Sequence, residues 1–360
     1  MRTAHATLAA VLIAAGGYLG AGASASAASP VETLYAELAK LPPEERAKRI
    51  AEGVAKESGL VTSPNFKGSV GRRHTDFFRK RYPNIKLETL DMPTEAVTER
   101  VLAEETAGRH LTDVLGVTVP DMNILLRKDM VARYPTPATA AILPRYKNFL
   151  DPENRWTPWY WSEHGVSYNS SLMKAADAPK SYEDLCDARF KGQVSYEPGE
   201  TKWLIGMYLF FGEEKFKNWL SCVAKNEPVI MKGHTLRMEL MLNGDHMIQG
   251  DNFLYTGAAA NAKNPKKAPV AIVNTAPVTV FAGVSAINTN TTHPYGSALW
   301  TDWQLTEESQ KVIYDEFRGP LAMKHPFISD DTELFIYGLV PEEVNAKANE
   351  IWKQAFGAKR

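Results

Sequence analysis

Between Leu60 and Val117 short apolar runs of strand length alternate with longer stretches of helical periodicity, and a second alternation follows from Gly192 onward. LVTS, IKLETLDM and the run Leu111 to Val117 read as strands. The intervening segments, Gly68 to Arg81 and Thr94 to Thr106, carry Phe77, Phe78, Val97, Val101 and Leu102 at helical spacing. Such alternation builds an α/β layer on a largely parallel sheet, because a parallel neighbour is reached only by a crossover long enough to hold a helix. A chain of 360 residues suffices for one large domain or for two lobes of about 150 residues each.

Residues 1–27 stand outside this pattern. Arg2 precedes a nearly charge-free run, Leu8 to Ala23, and Ala25-Ser26-Ala27 fits a small-residue cleavage rule. A secretory signal peptide is expected. The other reading, a membrane anchor, has to accommodate a short apolar run broken by Gly16, Gly17 and Gly20. Export makes the compartment oxidising, so Cys186 and Cys222 are expected to pair as a disulfide, the alternative being two buried thiols. Lysine and arginine number 41 against 42 acids, which speaks against a broad nucleic-acid surface. The chain has no G-x-S-x-G elbow, Walker loop or H-E-x-x-H motif, and sequence does not tie His110, His164 or His293 to a nucleophile and an orienting acid. Nothing in it supports self-association, so a monomer is expected.

Candidate binding residues lie where strands end and helices begin. Ser63 and Asn65 follow the first strand in TSPNFKGS, a loop that is either an anion-binding nest or an ordinary turn. Arg72 lies early in the next helix. His74, two residues on, reads as helix surface. Trp156, Trp159, Tyr160 and Trp161 form an aromatic cluster that either packs the crossing segments or walls a ligand, with Trp159 the candidate wall. Lys232, Gly233, His234 and Thr235 precede a further helix, making His234 and Thr235 candidates on the far side of a cleft.

In their order and spacing several segments resemble one known family: AEGVAKESGLV, FFRKRYPNIKLETL, AVTERVLAEETAGRHLTDVL, LLRKDMVARYPTP, GVSYNSSLMKAADAPKSYEDLCDARFKGQV, MELMLNGDHMI and AGVSAINTNTTHPYGSALWTDWQLTEESQKVI. The family is the bacterial extracellular solute-binding proteins, family 1, and more narrowly the periplasmic substrate-binding proteins of the iron(III) importer type. The resemblance implies a type II two-lobed fold with the ligand cleft between lobes. The first lobe would span 28–158 and 275–325, the second 159–274 and 326–360. It implies a periplasmic, non-catalytic protein that captures a small solute and delivers it to the membrane permease subunits of an ABC importer. It also places the Thr118 loop at the cleft.

The iron-binding relatives carry a tandem tyrosine pair in the second lobe. The matching stretch here, MIQGDNFLYTG, has Tyr255 alone, with Phe253 two residues before it. A hard ferric ion would have to recruit Asp251 and Glu239 beside Tyr255. The missing tyrosine favours an organic or phosphorylated anion, or another small metabolite, with ferric iron as the alternative. An exported enzyme is a remote third reading.

Overall fold

Pro30 opens helix α1 (Pro30–Leu38) behind a capping box in which Ser29 and Glu32 satisfy each other's backbone N–H. Helix α2 (Pro43–Val54) again starts on proline, with Glu44 and Glu45 at its positive end. Strand β1 (Leu60–Thr62), helix α3 (Gly68–Arg81), strand β2 (Leu87–Thr89), helix α4 (Thr94–Thr106) and strand β3 (Val114–Thr118) realise the first alternation, and β1 runs parallel to both β2 and β3. A short helix α5 (Asn123–Arg127) leads to the long strand β4 (Thr157–Asn169). The second alternation is β5 (Val194–Tyr196), α6 (Thr201–Phe211), α7 (Glu213–Lys225), β6 (Val229–Ile230), α8 (His234–Asn243), β7 (Ile248–Phe253) and α9 (Leu254–Lys263), with β5 parallel to β6 and β7. Strands β8 (Val270–Val273) and β9 (Val278–Ile287), helices α10 (Pro294–Trp303) and α11 (Glu307–Asp315), strands β10 (Gly319–Pro320) and β11 (Leu334–Ile336) and helix α12 (Glu342–Phe356) complete the chain. This computed structural model describes residues 28–66, 68–199, 201–264, 268–273 and 278–357. The expected signal peptide lies outside them.

The strands follow the order β2-β1-β3-β9-β4-β7-β5-β6, with β8 and β10 on β4 and β11 on β9. Parallel pairing holds at the two ends. The middle is antiparallel, where β9 runs against β3 and β4, and β4 against β7 and β8. The largely parallel sheet expected from alternation is therefore interrupted by two long strands that carry the chain between the halves in opposite senses. All residues of β4 and β9 are buried. One hydrophobic cluster, with Tyr35, Phe78, Trp300 and Trp303, packs the outer part of the first half. A separate one, with Tyr182, Trp203, Trp219 and Trp352, fills the second half. A third surrounds the crossing strands themselves. The result is two lobes of type II arrangement joined by β4 and β9.

The aromatic run on β4 is interior packing. Trp159 is 0 % exposed and stacks on the imidazole of His74 at 4.7 Å, with 19° between the planes. This corrects both expectations. Trp159 is not a wall of the cleft, and His74 is not surface, because the face of α3 carrying Gly71, His74 and Phe78 turns inward onto Trp300 and Trp303. Burial pushes the His74 imidazole down to about 3. His246, which shares a hydrogen bond with Ser195 (Nε2···Oγ 2.9 Å), is pushed down to about 4, first by burial and then by Arg237.

Both imidazoles stay neutral in the fold and protonate in the unfolded chain near pH 6.5, so their contribution is complete above that pH and is lost on acidification. Each should steepen the loss by up to about 1.4 kcal/mol per pH unit between pH 6.5 and its folded value. Urea midpoints at pH 7, 6 and 5 should fall accordingly, and His74→Phe should fall less steeply. Equal slopes for the two proteins would contradict this.

Cys186 and Cys222 are bonded, as expected, tying the turn Glu183–Cys186 to α7 across a sequence separation of 36. Closing a loop of that length restricts the unfolded chain, so replacing both cysteines with serine should cost roughly 3 kcal/mol by chemical denaturation.

Candidate functional site

The loop after β1 points its polar groups into the protein. Asn65, held at φ 58°, a value asparagine tolerates, donates from Nδ2 to the Val117 carbonyl at 2.7 Å. Ser63 is buried, with Oγ 3.5 Å from the Gly116 carbonyl. The Thr118 hydroxyl donates to Asp121 at 2.5 Å. Ser63 and Asn65 thus pin the loop to β3, and Thr118 fastens the turn that follows β3. The ring the loop carries to the lobe junction is Phe66, packed 4.5 Å from Tyr160. Arg72 lies on the solvent side of α3, its side chain 67 % exposed and 3.8 Å from Asp91.

From the second lobe, β7 delivers Asp251, Asn252 and Phe253 to the start of α9. His234 Nδ1 meets Asn252 Oδ1 at 3.1 Å, and the His234 ring stands edge-on to Phe253 at 4.9 Å. Thr235 and Glu239 are exposed on α8. Asp251 is fully buried and receives Arg237 Nη1 at 2.7 Å and the Glu197 N–H at 3.0 Å. Tyr255, Asp251 and Glu239 thus do not converge. Asp251 is engaged internally and Glu239 faces solvent. Among the described residues no three His, Cys, Asp or Glu side chains come together as a metal site.

Tyr255 is the expected residue that reaches the junction. Its N–H donates to Glu163 Oε1 at 3.0 Å, so a carboxylate on crossing strand β4 fixes the first turn of α9. The other oxygen of Glu163 faces His325 Nε2 at 3.9 Å. His325 Nδ1 accepts the N–H groups of Phe327 and Ile328, which leaves the proton of the neutral ring on Nε2.

Sequence reasoning missed Arg318. Its guanidinium carbon lies 4.0 Å from the centre of the Tyr255 ring and 4.6 Å from that of Phe66, so it sits between a loop of each lobe. Burial works against its charge, but Tyr255, Tyr160 and Glu163 outweigh this and hold its pKa above the ordinary value. Its Nε is buried without a hydrogen-bond partner. No spacing or motif marks this arginine in the sequence. It reaches the site because β10, directly after it, pairs with Tyr160 and Trp161 of β4.

A hydroxyl, an imidazole and a carboxylate do line up elsewhere. Ser58 Oγ is 2.9 Å from His293 Nε2, and His293 Nδ1 is 2.9 Å from the buried Asp113. Beside them the Tyr295 and Gly296 N–H groups at the start of α10, which could have steadied an oxyanion, are both taken by Glu57. Asp113 also accepts from Val61 N–H and Thr291. The trio fastens the turn before β1 to α10.

Residues 118–324 match the family model described as bacterial extracellular solute-binding protein. A Salmonella typhi protein, named as a periplasmic binder of 2-aminoethylphosphonate, is 31 % identical over 106 residues. That match covers 29 % of this chain and 28 % of the relative's length. The iron-bound HitA of Pseudomonas aeruginosa superposes with a TM-score of 0.69 at 17 % identity, over 83 % of this chain and 99 % of its own. AfuA of Actinobacillus pleuropneumoniae, holding fructose-6-phosphate, gives 0.63 at 16 % identity, over 83 % and 96 %. At such identities the structures establish the shared fold.

Proposed function

The chain belongs to the bacterial extracellular solute-binding proteins, whose place is the periplasm, and from that premise we propose that it is the substrate-binding component of an ABC importer. It captures a small polar solute, an organic or phosphorylated anion or small metabolite, between its lobes and passes it to the membrane permease subunits. It acts as a monomer and performs no catalysis. The lobes comprise 28–158 with 275–325 and 159–274 with 326–360, so that β4 and β9 form the hinge.

One observation carries this reading. Phe66 from the first lobe and Tyr255 from the second meet on a single charged side chain beside the two crossing strands. A junction built that way closes when a solute draws the two loops together and opens by bending two strands. A directly bound ferric ion is the weaker reading, since Tyr255 lacks a tandem partner and neither Asp251 nor Glu239 accompanies it.

Native mass spectrometry of protein taken from its source periplasm tests the function. A bound organic mass is expected, released on denaturation, and adding it back should shrink the radius of gyration in solution scattering. A gain of one iron with a visible phenolate band would restore the ferric alternative. Protein that carries no small molecule, and does not contract on exposure to periplasmic extract, would end the reading.

A further inference from the structure

We propose that Arg318 selects the solute, taking the charged oxygens of an organic molecule that bears a phosphonate, phosphate or carboxylate group. This rests on the solute-binding reading above and adds the chemical class of the ligand.

Arg318 lacks the carboxylate partner that its neighbouring cations have. The other cations near the junction have acidic partners. Arg237 is on Asp251 at 2.7 Å with Glu197 at 3.4 Å, and Lys202 is 3.6 Å from Asp121. On the first-lobe side Arg73 holds Glu316 at 2.9 Å. Arg318 has no carboxylate within 4 Å among the described residues, and its buried Nε donates to nothing. Glu163 acts on it through space, but that carboxylate is committed to the Tyr255 N–H on one side and turned to His325 on the other.

Two aromatic rings soften the desolvation of a guanidinium without replacing an anion. Tyr255 also hydrogen-bonds the guanidinium through its hydroxyl, which leaves the buried Nε, on one edge of a planar fork of the kind that matches two oxygens of one oxyanion. Phe253 and Tyr255, both half-buried, supply apolar surface for the carbon skeleton. A bare metal cation or a polyamine would meet an uncompensated positive charge here.

The test uses the mature protein, stripped of solute by unfolding and refolding. The probes are 2-aminoethylphosphonate, fructose-6-phosphate and putrescine, titrated by calorimetry. At least one of the two oxyanions should bind and putrescine should not. Arg318→Gln should weaken that binding about 100-fold and Arg318→Lys about 10-fold, since lysine keeps the charge but loses the fork. Circular dichroism and the cooperativity of unfolding should stay at the wild-type values, separating recognition from folding, while the unliganded melting point falls modestly as the ring contacts are lost.

Unchanged affinity in Arg318→Gln overturns the assignment, as does binding of putrescine alone or of none of the three. The solute-binding reading survives those results wherever native mass spectrometry still finds a solute and scattering still shows contraction. It falls only when both of those measurements are blank.

Discussion

Replacing Arg237 by alanine is expected to destabilise the protein by about 4 kcal/mol. Arg237 is 0 % exposed. Its Nη1 donates to Asp251 Oδ1 and its Nη2 to the Asp251 carbonyl, both at 2.7 Å, while Nε lies 3.4 Å from Glu197. Glu197 in turn accepts the Gly233 N–H just before α8, and its own N–H donates to Asp251. One guanidinium therefore ties β5, α8 and β7 together. Its removal leaves two carboxylates in a dry region without their cation, and loss of the charged partner costs far more than the intact pair contributes. Arg237→Met with Asp251→Leu should recover most of the loss, because an apolar pair of similar volume imposes no desolvation. Urea unfolding measures all three proteins. A loss below about 1 kcal/mol in the single variant would show that the site is wetter than its burial implies.

Gly283→Val should be nearly as damaging, at upwards of about 3 kcal/mol, or should prevent accumulation of soluble protein. A Cβ at Gly283 would stand 1.8 Å from Cε1 and 2.1 Å from Cζ of Tyr160. The ring has nowhere to go, since Phe66 lies 4.5 Å and Trp159 4.8 Å from it. Gly283 pairs with Thr118 on one side and Tyr160 on the other, so its strand cannot shift without disturbing both lobes. Trp161 repeats the device, its ring covering Gly319 so closely that a Cβ there would come within 2.3 Å. Tyr160→Ala in the Gly283→Val background should restore part of the stability. Failure to do so would place the strain somewhere other than this contact.

Several features of the molecule were legible from local sequence. The prolines and acids at the starts of α1 and α2, the helical spacing of Val97 and Val101, and the strand–helix alternation lie within windows of a dozen residues. The Cys186–Cys222 pair followed from export and an even count. His74 reads as surface because RRHTDFFRK is rich in charge. Its fourth-residue spacing to Phe78 was the signal that both sit on one inward face. Ser63 and Asn65 stand out in the sequence as polar groups at a strand end, and the resemblance adds Thr118. Such groups serve a ligand or the loop itself, and only the hydrogen bonds to the Val117 and Gly116 carbonyls and to Asp121 tell which use they have in the fold.

The amino-acid order by itself determined the elements, their succession and the family to which they belong, because periodicity, caps and turns are settled between near neighbours. The tertiary structure alone decided which side chains confront one another where the lobes join. Phe66, Tyr160, Tyr255 and Arg318 come from four distant stretches, and the pairing of β10 with β4 and of β4 with β9 brings them together. A charge left without a counter-ion is a property of that assembled surrounding, which no window of sequence contains.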